Sequence, residues 1–469
     1  MCQPPSNEAV REILGTAIPP EVTVEKVQPV PTLRPQRIFQ VDCSDNTSLH
    51  FVTSPYSKWR PLRSDHGMVL SETIAVRWIK ERAEQRFPSR PPSAASSTPK
   101  DKNETDEDDP ENEEQKKFAQ LIPNIIHHGQ ETSGNRDWYT FYTPSTGRPL
   151  ALLNPPLSPA DRDVETGINF QLGRLYRQLA RLSSPTGRFG PVAATIPANY
   201  YSAGGSGSAP SSPSFQRQQQ QHLGAVGGLF GTVGAATWQV AFHSMLESSL
   251  RDGEDMAVVL SYPTIRRHFR RLGYLLDEVT TPRLVVVDAG DENNILVEEQ
   301  EETEEGQKGW QLVGLRDWSS CVFGDPLLGA VFSDPELAPQ QPPSSEFLRG
   351  FNQDNHTTTT QSSSAEPTMV YPLNLNRTVI EDVDTAWVRL LLYQVYHAVT
   401  RIVAEFYRPR ADSGARELDA RRRLNVILAK LAEVPDDVKS SKRVKHPRPS
   451  GEMSPAKRLR ALPAPEGSN

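Results

Sequence analysis

Apolar and polar positions along this chain change their spacing, and each change marks an element. From Val22 to Val27, Arg37 to Asp42 and Ser48 to Val52 they alternate in twos, with Pro-rich or Asn/Asp turns between, which predicts a small antiparallel sheet. From Gly67 to Arg82 the spacing lengthens. Val69, Ile74, Val76, Trp78 and Ile79 share roughly one face, with Ser71 and Glu72 near the start, so a helix is expected to pack on that sheet. Order resumes over Phe118 to Ile126 and in a strand from Trp138 to Pro144. Ser158-Pro159-Ala160-Asp161 then reads as a helix start, with a serine N-cap, proline at the first turn and an acid near the dipole's positive end. Ile168, Leu172, Leu175, Leu179 and Leu182 continue as an apolar stripe. Further helices are predicted over Trp238 to Arg251, Tyr262 to Glu278, Asp384 to Phe406 and Leu418 to Leu431, the last two as closing helices of a core.

One stretch carries candidate chemistry. The apolar run Leu284 to Val287 delivers Asp288 to a polar turn, Ile295 to Val297 leaves that turn just after Asn293, and Leu312 to Leu315 ends close to Asp317. The sequence between, Glu298 to Gly306, reads as a solvated hairpin tip. Asp288, Asn293 and Asp317 therefore sit at the ends of short strands. Phosphoryl transfer from a magnesium nucleotide uses this kit: a carboxylate to orient the attacking hydroxyl, and an amide with a second carboxylate to hold hard cations.

Asp288, four residues, Asn293, a strand, then Leu315-Arg316-Asp317-Trp318 and Phe323-Gly324-Asp325-Pro326 resembles the aminoglycoside phosphotransferase and choline kinase-like family, most of all its divergent fungal branch. The resemblance implies an α+β, bilobal protein kinase-like fold, with a small antiparallel-sheet N-lobe, a mostly helical C-lobe, and disordered insertions and tail. It implies ATP as co-substrate, a small-molecule acceptor, Asp288 as the catalytic carboxylate, and Asn293 and Asp317 as Mg2+ ligands. Asp325 would brace the loop, and Glu72 would partner a phosphate-binding lysine. Tyr139, Phe141 and Thr143 would form the hinge that seats the nucleotide base. The N-lobe then covers residues 20–142 and the C-lobe 143–436.

The sequence departs from this pattern in the N-lobe. In Leu49 to Pro55 the position of the lysine is held by Val52, and no glycine-rich phosphate loop precedes it. Lys58, six residues on, is either a substitute or a surface lysine. Two functions follow: a phosphotransferase moving the γ-phosphoryl group to a hydroxyl, or a pseudokinase that binds without turnover.

Composition adjusts the picture at its edges. With 36% hydrophobic residues and 41 prolines among 469 residues, roughly 330 residues are expected to fold, as one bilobal domain. Residues 87–117, 203–222 and 333–367 read as insertions, the first strongly acidic and the others Gly/Ser/Gln- or Thr-rich. Residues 224–234 hold several glycines in neither a dinucleotide nor a Walker-type spacing. Three cysteines, Cys2, Cys43 and Cys321, form no disulfide framework, which suits a reducing compartment. There is no signal-like N-terminus and no apolar run of about 20 residues, so a cytoplasmic or nuclear, non-membrane protein is expected.

The net charge of −7 conceals a basic tail, 437–469. Its clusters Lys442-Arg443 and Lys457-Arg458-Leu459-Arg460 resemble a bipartite import signal, with an importin as partner; weak polyanion binding is the competing reading. Arg266, Arg267, Arg270 and Arg271 are read as a solvated helix face rather than a nucleic-acid surface. Tyr393, Tyr396 and His397 are read as core, with an acceptor pocket as the alternative.

Overall fold

The computed structural model describes residues 4–32, 34–55, 60–65, 67–84, 110–130, 138–164, 167–196, 234–300, 309–333, 343–353, 375 and 377–438. Lys58, most of the acidic insertion, the span 203–222 and the basic clusters of the tail lie outside these residues.

The fold is α+β, with an antiparallel sheet in the N-terminal part and helices dominating the C-terminal part. Helix α1 (Asn7–Leu14) comes first, capped by the Ser6 side chain on Ala9 N, and precedes the expected domain start at residue 20. Strands β1 (Val24–Pro29), β2 (Arg37–Cys43) and β3 (Ser48–Thr53) form a meander, followed by helix α2 (Met68–Glu84), helix α3 (Pro110–Gln120) and strands β4 (Ile125–Gln130) and β5 (Trp138–Tyr142). The sheet order is β1-β2-β3-β5-β4. Strand alternation sends Phe39, Phe51, Tyr139 and Phe141 to one face, where Val10 and Leu14 of α1 cover them. Ile38 and Val52 point to the other face, onto Val69 of α2.

Helix α2 is buried on nearly all sides, Glu72 included, because the sheet, α3 and C-lobe elements enclose it. A single apolar face could not have forecast this. Helix α3 begins inside the span read as the acidic insertion; its Phe118 joins the main core.

In the C-lobe, β6 (Arg148–Pro149), α4 (Pro159–Arg162), α5 (Ile168–Arg181), β7 (Gly190–Pro191), α6 (Val192–Thr195), α7 (Trp238–Asp255) and α8 (Tyr262–Leu272) lead to the central stretch. That stretch forms β8 (Arg283–Val286), β9 (Ile295–Glu299), β10 (Trp310–Leu315) and β11 (Cys321–Gly324), in two small sheets ordered β10-β9-β6 and β7-β11-β8. Helices α9 (Ala330–Ser333), α10 (Ser345–Asn352), α11 (Ala386–Tyr407) and α12 (Ser413–Glu433) close the lobe.

Helix α10 lies within the span 333–367 that composition marked as an insertion. Phe347 and Phe351, spaced by four, bury it against α5. The two backbones nearly touch: a Cβ on Gly173 would lie 2.1 Å from Phe347 O, and one on Gly350 2.1 Å from Phe170 O. The arginines of α8 are largely structural. Arg266 pairs with Glu247 and Glu254, and Arg271 donates to the carbonyls of Leu431 and Val434 at the end of α12.

Candidate functional site

The loops after β8 and β10 meet beneath the N-lobe sheet. Asp288 leaves β8, and its carboxylate accepts a hydrogen bond from Ser320 Oγ, just before β11. Asp317 follows β10 and is 9% exposed. The amide that joins the two loops is that of Asn294. Asn294 is buried; its Oδ1 accepts Asp317 N at 2.6 Å, and its Nδ2 donates to Asp317 O at 3.1 Å and Asp288 O at 3.3 Å. Asn293 turns back on its own loop and donates to Asp291 Oδ1 at 2.9 Å. The cause is local: Asn294 is the last residue before β9, and the first strand residues fix its side chain inward.

Asp325 ties its own turn to α11. It caps the turn through Leu327 N at 3.1 Å, and its Oδ2 takes Arg389 Nε at 2.9 Å and Tyr393 OH at 2.8 Å. Arg389 and Tyr393 are wholly buried, and Trp238 Nε1 donates to Tyr393 OH. His397 contacts Ser333 Oγ and Leu328 O, each at 2.9 Å, and Tyr396 packs on Phe242. Tyr393 is therefore part of the core, and Tyr396 and His397, half-buried, pack at its edge.

Glu72 faces the loop after β10, and its Oε1 accepts Trp318 N at 3.2 Å. Its cationic partner comes from neither Val52, which is 1% exposed against Ile38 and Val69, nor the β3 strand at all. It is Arg34, in the turn between β1 and β2. Arg34 Nη2 lies 2.5 Å from Glu72 Oε2, and Nε lies 2.8 Å from Asp317 Oδ2. The second contact is ionic, since the Nε–H is not directed as a hydrogen bond requires. Nη1 donates to Arg316 O at 3.1 Å, and Arg316 reaches back to Pro31 O. The β1–β2 turn is thereby tied to the C-lobe from both sides. Sequence reasoning missed Arg34 because its partners lie 38 and 283 residues away; the available hint was an arginine where a phosphate loop was expected.

The electrostatics follow from burial among these charges. Asp288 is pushed up to about 7 by burial, then by the negative charge of Asp317, against the pull of the Ser320 hydrogen bond. Glu72 is also raised, by burial first, with Arg34 opposing. Burial lowers Arg34, but Asp317 and Glu72 outweigh it and hold the guanidinium charged. His50 on β3 is pushed down to about 4 by burial, then by Arg316 and Arg34, so it is neutral at physiological pH.

A cleft of about 1250 Å³ opens between the lobes, with Val30, His50 and Tyr142 on one side and Leu296, Leu315 and Arg316 on the other. Of the expected hinge, Thr143 lines this cleft, but its N–H already donates to Asn124 O at 2.9 Å. Tyr139 and Phe141 point away, into the N-lobe core beneath α1. Tyr142, on the alternate face, is the aromatic that reaches the cleft.

Mg2+ prefers several oxygen ligands in near-octahedral geometry. Of the two residues that the resemblance assigned to it, Asp317 is already engaged, its Oδ2 paired with Arg34 and its Oδ1 accepting Ser319 N at 2.8 Å, while Asn293 spends an amide N–H on Asp291 Oδ1. Among the described residues, no group of three or more His, Cys, Asp or Glu side chains is arranged to hold a metal ion. Nor is any helix among them long and apolar enough to cross a membrane.

Comparison with protein-family models gives no match, and comparison with curated proteins gives none either. Among solved structures, the chain is similar to a thermostable mutant of the aminoglycoside phosphotransferase APH(4)-Ia, in ternary complex with AMP-PNP and hygromycin B, at 12% identity and a TM-score of 0.45, over 91% of this chain and 99% of that one. A putative fructosamine-3-kinase from Thermobifida fusca matches at 12% identity and a TM-score of 0.45, over 90% and 98%. Choline kinase from Cryptosporidium parvum matches at 10% identity and a TM-score of 0.36, over 91% and 96%.

Proposed function

We propose that the chain is a pseudokinase, a kinase-like fold whose interlobe cleft serves binding rather than the turnover of a magnesium nucleotide. One observation carries this reading: both oxygens of Asp317, which would coordinate a hard cation, are engaged by the chain itself, Oδ2 by Arg34 and Oδ1 by Ser319 N. Val52 adds to it, since a buried valine supplies no charge to a phosphate. Losing a single transition-state charge contact costs on the order of 3 kcal/mol, roughly a hundredfold or more in rate. Here the lysine's position is held by Val52 and Asp317 is held by Arg34. The test is phosphate release and thermal unfolding of the full chain with millimolar Mg-ATP. No release and an unchanged Tm are expected. Release of phosphate that requires both Mg2+ and ATP would overturn the reading.

A second reading, a phosphotransferase delivering the γ-phosphoryl group of ATP to a small-molecule hydroxyl, is favoured by one observation. Asp288, raised to about 7, has the proton affinity of a general base working near neutrality. In this reading Asp288 takes the proton of the acceptor hydroxyl, and Asp288→Asn would stop turnover while sparing nucleotide binding.

A further inference from the structure

We propose that Arg34 is the resident cation of this cleft, standing between Glu72 and Asp317 in place of the missing lysine and occupying Asp317 against a divalent ion, so that the two lobes are joined with neither metal nor nucleotide. The inference rests on the pseudokinase reading and gives the cleft a further property, which can fail while that reading stands.

The geometry assigns the role to one side chain. Adjacent nitrogens of a single guanidinium face Glu72 Oε2 at 2.5 Å and Asp317 Oδ2 at 2.8 Å. The Arg34 side chain is 6% exposed, so its charge is shielded from water as a bound ion's would be. Glu72 belongs to α2 in the N-lobe and Asp317 to the loop after β10, so one cation joins the lobes. The charge of Asp317 raises the proton affinity of Glu72, and the guanidinium between them opposes that rise. The remaining contacts point the same way. Arg34 Nη1 donates to Arg316 O, while the Arg316 guanidinium reaches Pro31 O, so the β1–β2 turn is fastened down on the cleft at its two ends. A phosphate chain carrying Mg2+ would have to displace this fork from both carboxylates. A phosphate chain without metal would meet two arginines already balanced by two acids.

The groups facing Arg34 from the packed elements are Glu72 on α2, Asp317 and Arg316 after β10, and Tyr142 at the end of β5. No other cation reaches the two carboxylates among the contacts of the described residues.

The test uses the full chain and Mn2+ as probe, read by water-proton relaxation. The wild type is expected to give no enhancement up to millimolar Mn2+; an enhancement abolished by Asp317→Asn would overturn the proposal, because it would place the divalent ion where Arg34 is assigned. In a parallel measurement, Arg34→Ala should lower Tm by roughly 5–10 °C, the effect of leaving buried charges uncompensated in a domain of this size. Millimolar Mg2+ should restore part of that loss while leaving the wild type unmoved, and Arg34→Lys should retain most of the stability. An Arg34→Ala protein that folds but is indifferent to Mg2+ would also overturn the proposal. If Arg34→Ala does not fold, the wild-type relaxation measurement still decides. Phosphate release from Mg-ATP, by contrast, would count against the pseudokinase reading alone.

Discussion

Asn294 and Asp317 exchange two hydrogen bonds, Asp317 N to Asn294 Oδ1 at 2.6 Å and Asn294 Nδ2 to Asp317 O at 3.1 Å, so one side chain mimics a strand pairing between the two loops of the site. Both backbone groups are buried with it. Asn294→Ala leaves them unsatisfied, and each such group costs about 1–3 kcal/mol. The expected loss is therefore about 2–4 kcal/mol by urea unfolding. Asn293→Ala removes only a bond within its own turn and should cost less than about 1 kcal/mol. Equal losses would mean that the amide between the loops has been misidentified.

Asp325 and Arg389 form an ion pair with almost no solvent contact. Removing one partner strands the other, at about 3–5 kcal/mol. Arg389→Ala should thus be among the most damaging single changes in the C-lobe, visible as a lowered urea midpoint with an unchanged slope. The exposed pair of Arg377 and Asp384 offers the contrast: its loss should fall below about 1 kcal/mol.

Asp288 makes the stability of the chain depend on pH with a definite sign. Its carboxyl moves from an ordinary value of 3.8 up to about 7 in the folded chain, so across that window the folded state holds a proton that the unfolded state has released. The stabilisation is full below about 4 and is lost as pH rises through 7, with a slope of at most ~1.4 kcal/mol per pH unit. Differential scanning calorimetry should find Tm falling from pH 6 to pH 8. Asp288→Asn should flatten most of that fall; Glu72, raised by burial in the same direction, accounts for any remainder. A wild-type Tm that rises over this range would contradict the assignment.

Gly173 and Gly414 should respond oppositely to alanine. The Cβ of Gly173→Ala would meet the Phe347 carbonyl at 2.1 Å, a backbone atom that cannot rotate aside, and α5 and α10 must separate. A loss of about 1–3 kcal/mol or more is expected. Gly414 lies in the first turn of α12 with nothing within 4 Å of its Cβ position, so Gly414→Ala should gain a few tenths to about 1 kcal/mol.

The basic clusters Lys442-Arg443 and Lys457 to Arg460 carry the import reading, and truncation after Val438 tests it. A fluorescent fusion of the full chain should concentrate in the nucleus and the truncated one should not. Equal distribution would dispose of the importin as partner.

What could be read from the sequence was local, and what could not was long-range. The strands around the site, the placing of Asp317 after β10 and the Asp325-Pro326 turn follow from spacing and turn chemistry over a few residues. The part of Asn294 did not, because the spacing from Asp288 draws attention to Asn293, whereas the register of β9 decides which amide is buried. Arg34 was out of reach altogether. Its partners are brought near only when the β1–β2 turn folds over the cleft, and no periodicity encodes that. Composition misled at α10, where low-complexity flanks hid Phe347 and Phe351, although their four-residue spacing was visible. At α11 the structural reading of Tyr393 agrees with its buried hydrogen bond to Asp325, and His397 bonds Leu328 O from a half-buried place.

The short helix α1 has a practical consequence for anyone dissecting this chain. Val10 and Leu14 shield Phe39, Phe51 and Phe141, three rings that otherwise form an aromatic wall on the outer side of the N-lobe sheet. A chain begun at residue 20, where strand alternation alone would draw the boundary, would carry that wall bare into solvent. Its self-association would then be a property of the cut, and no guide to how the intact protein meets its partners.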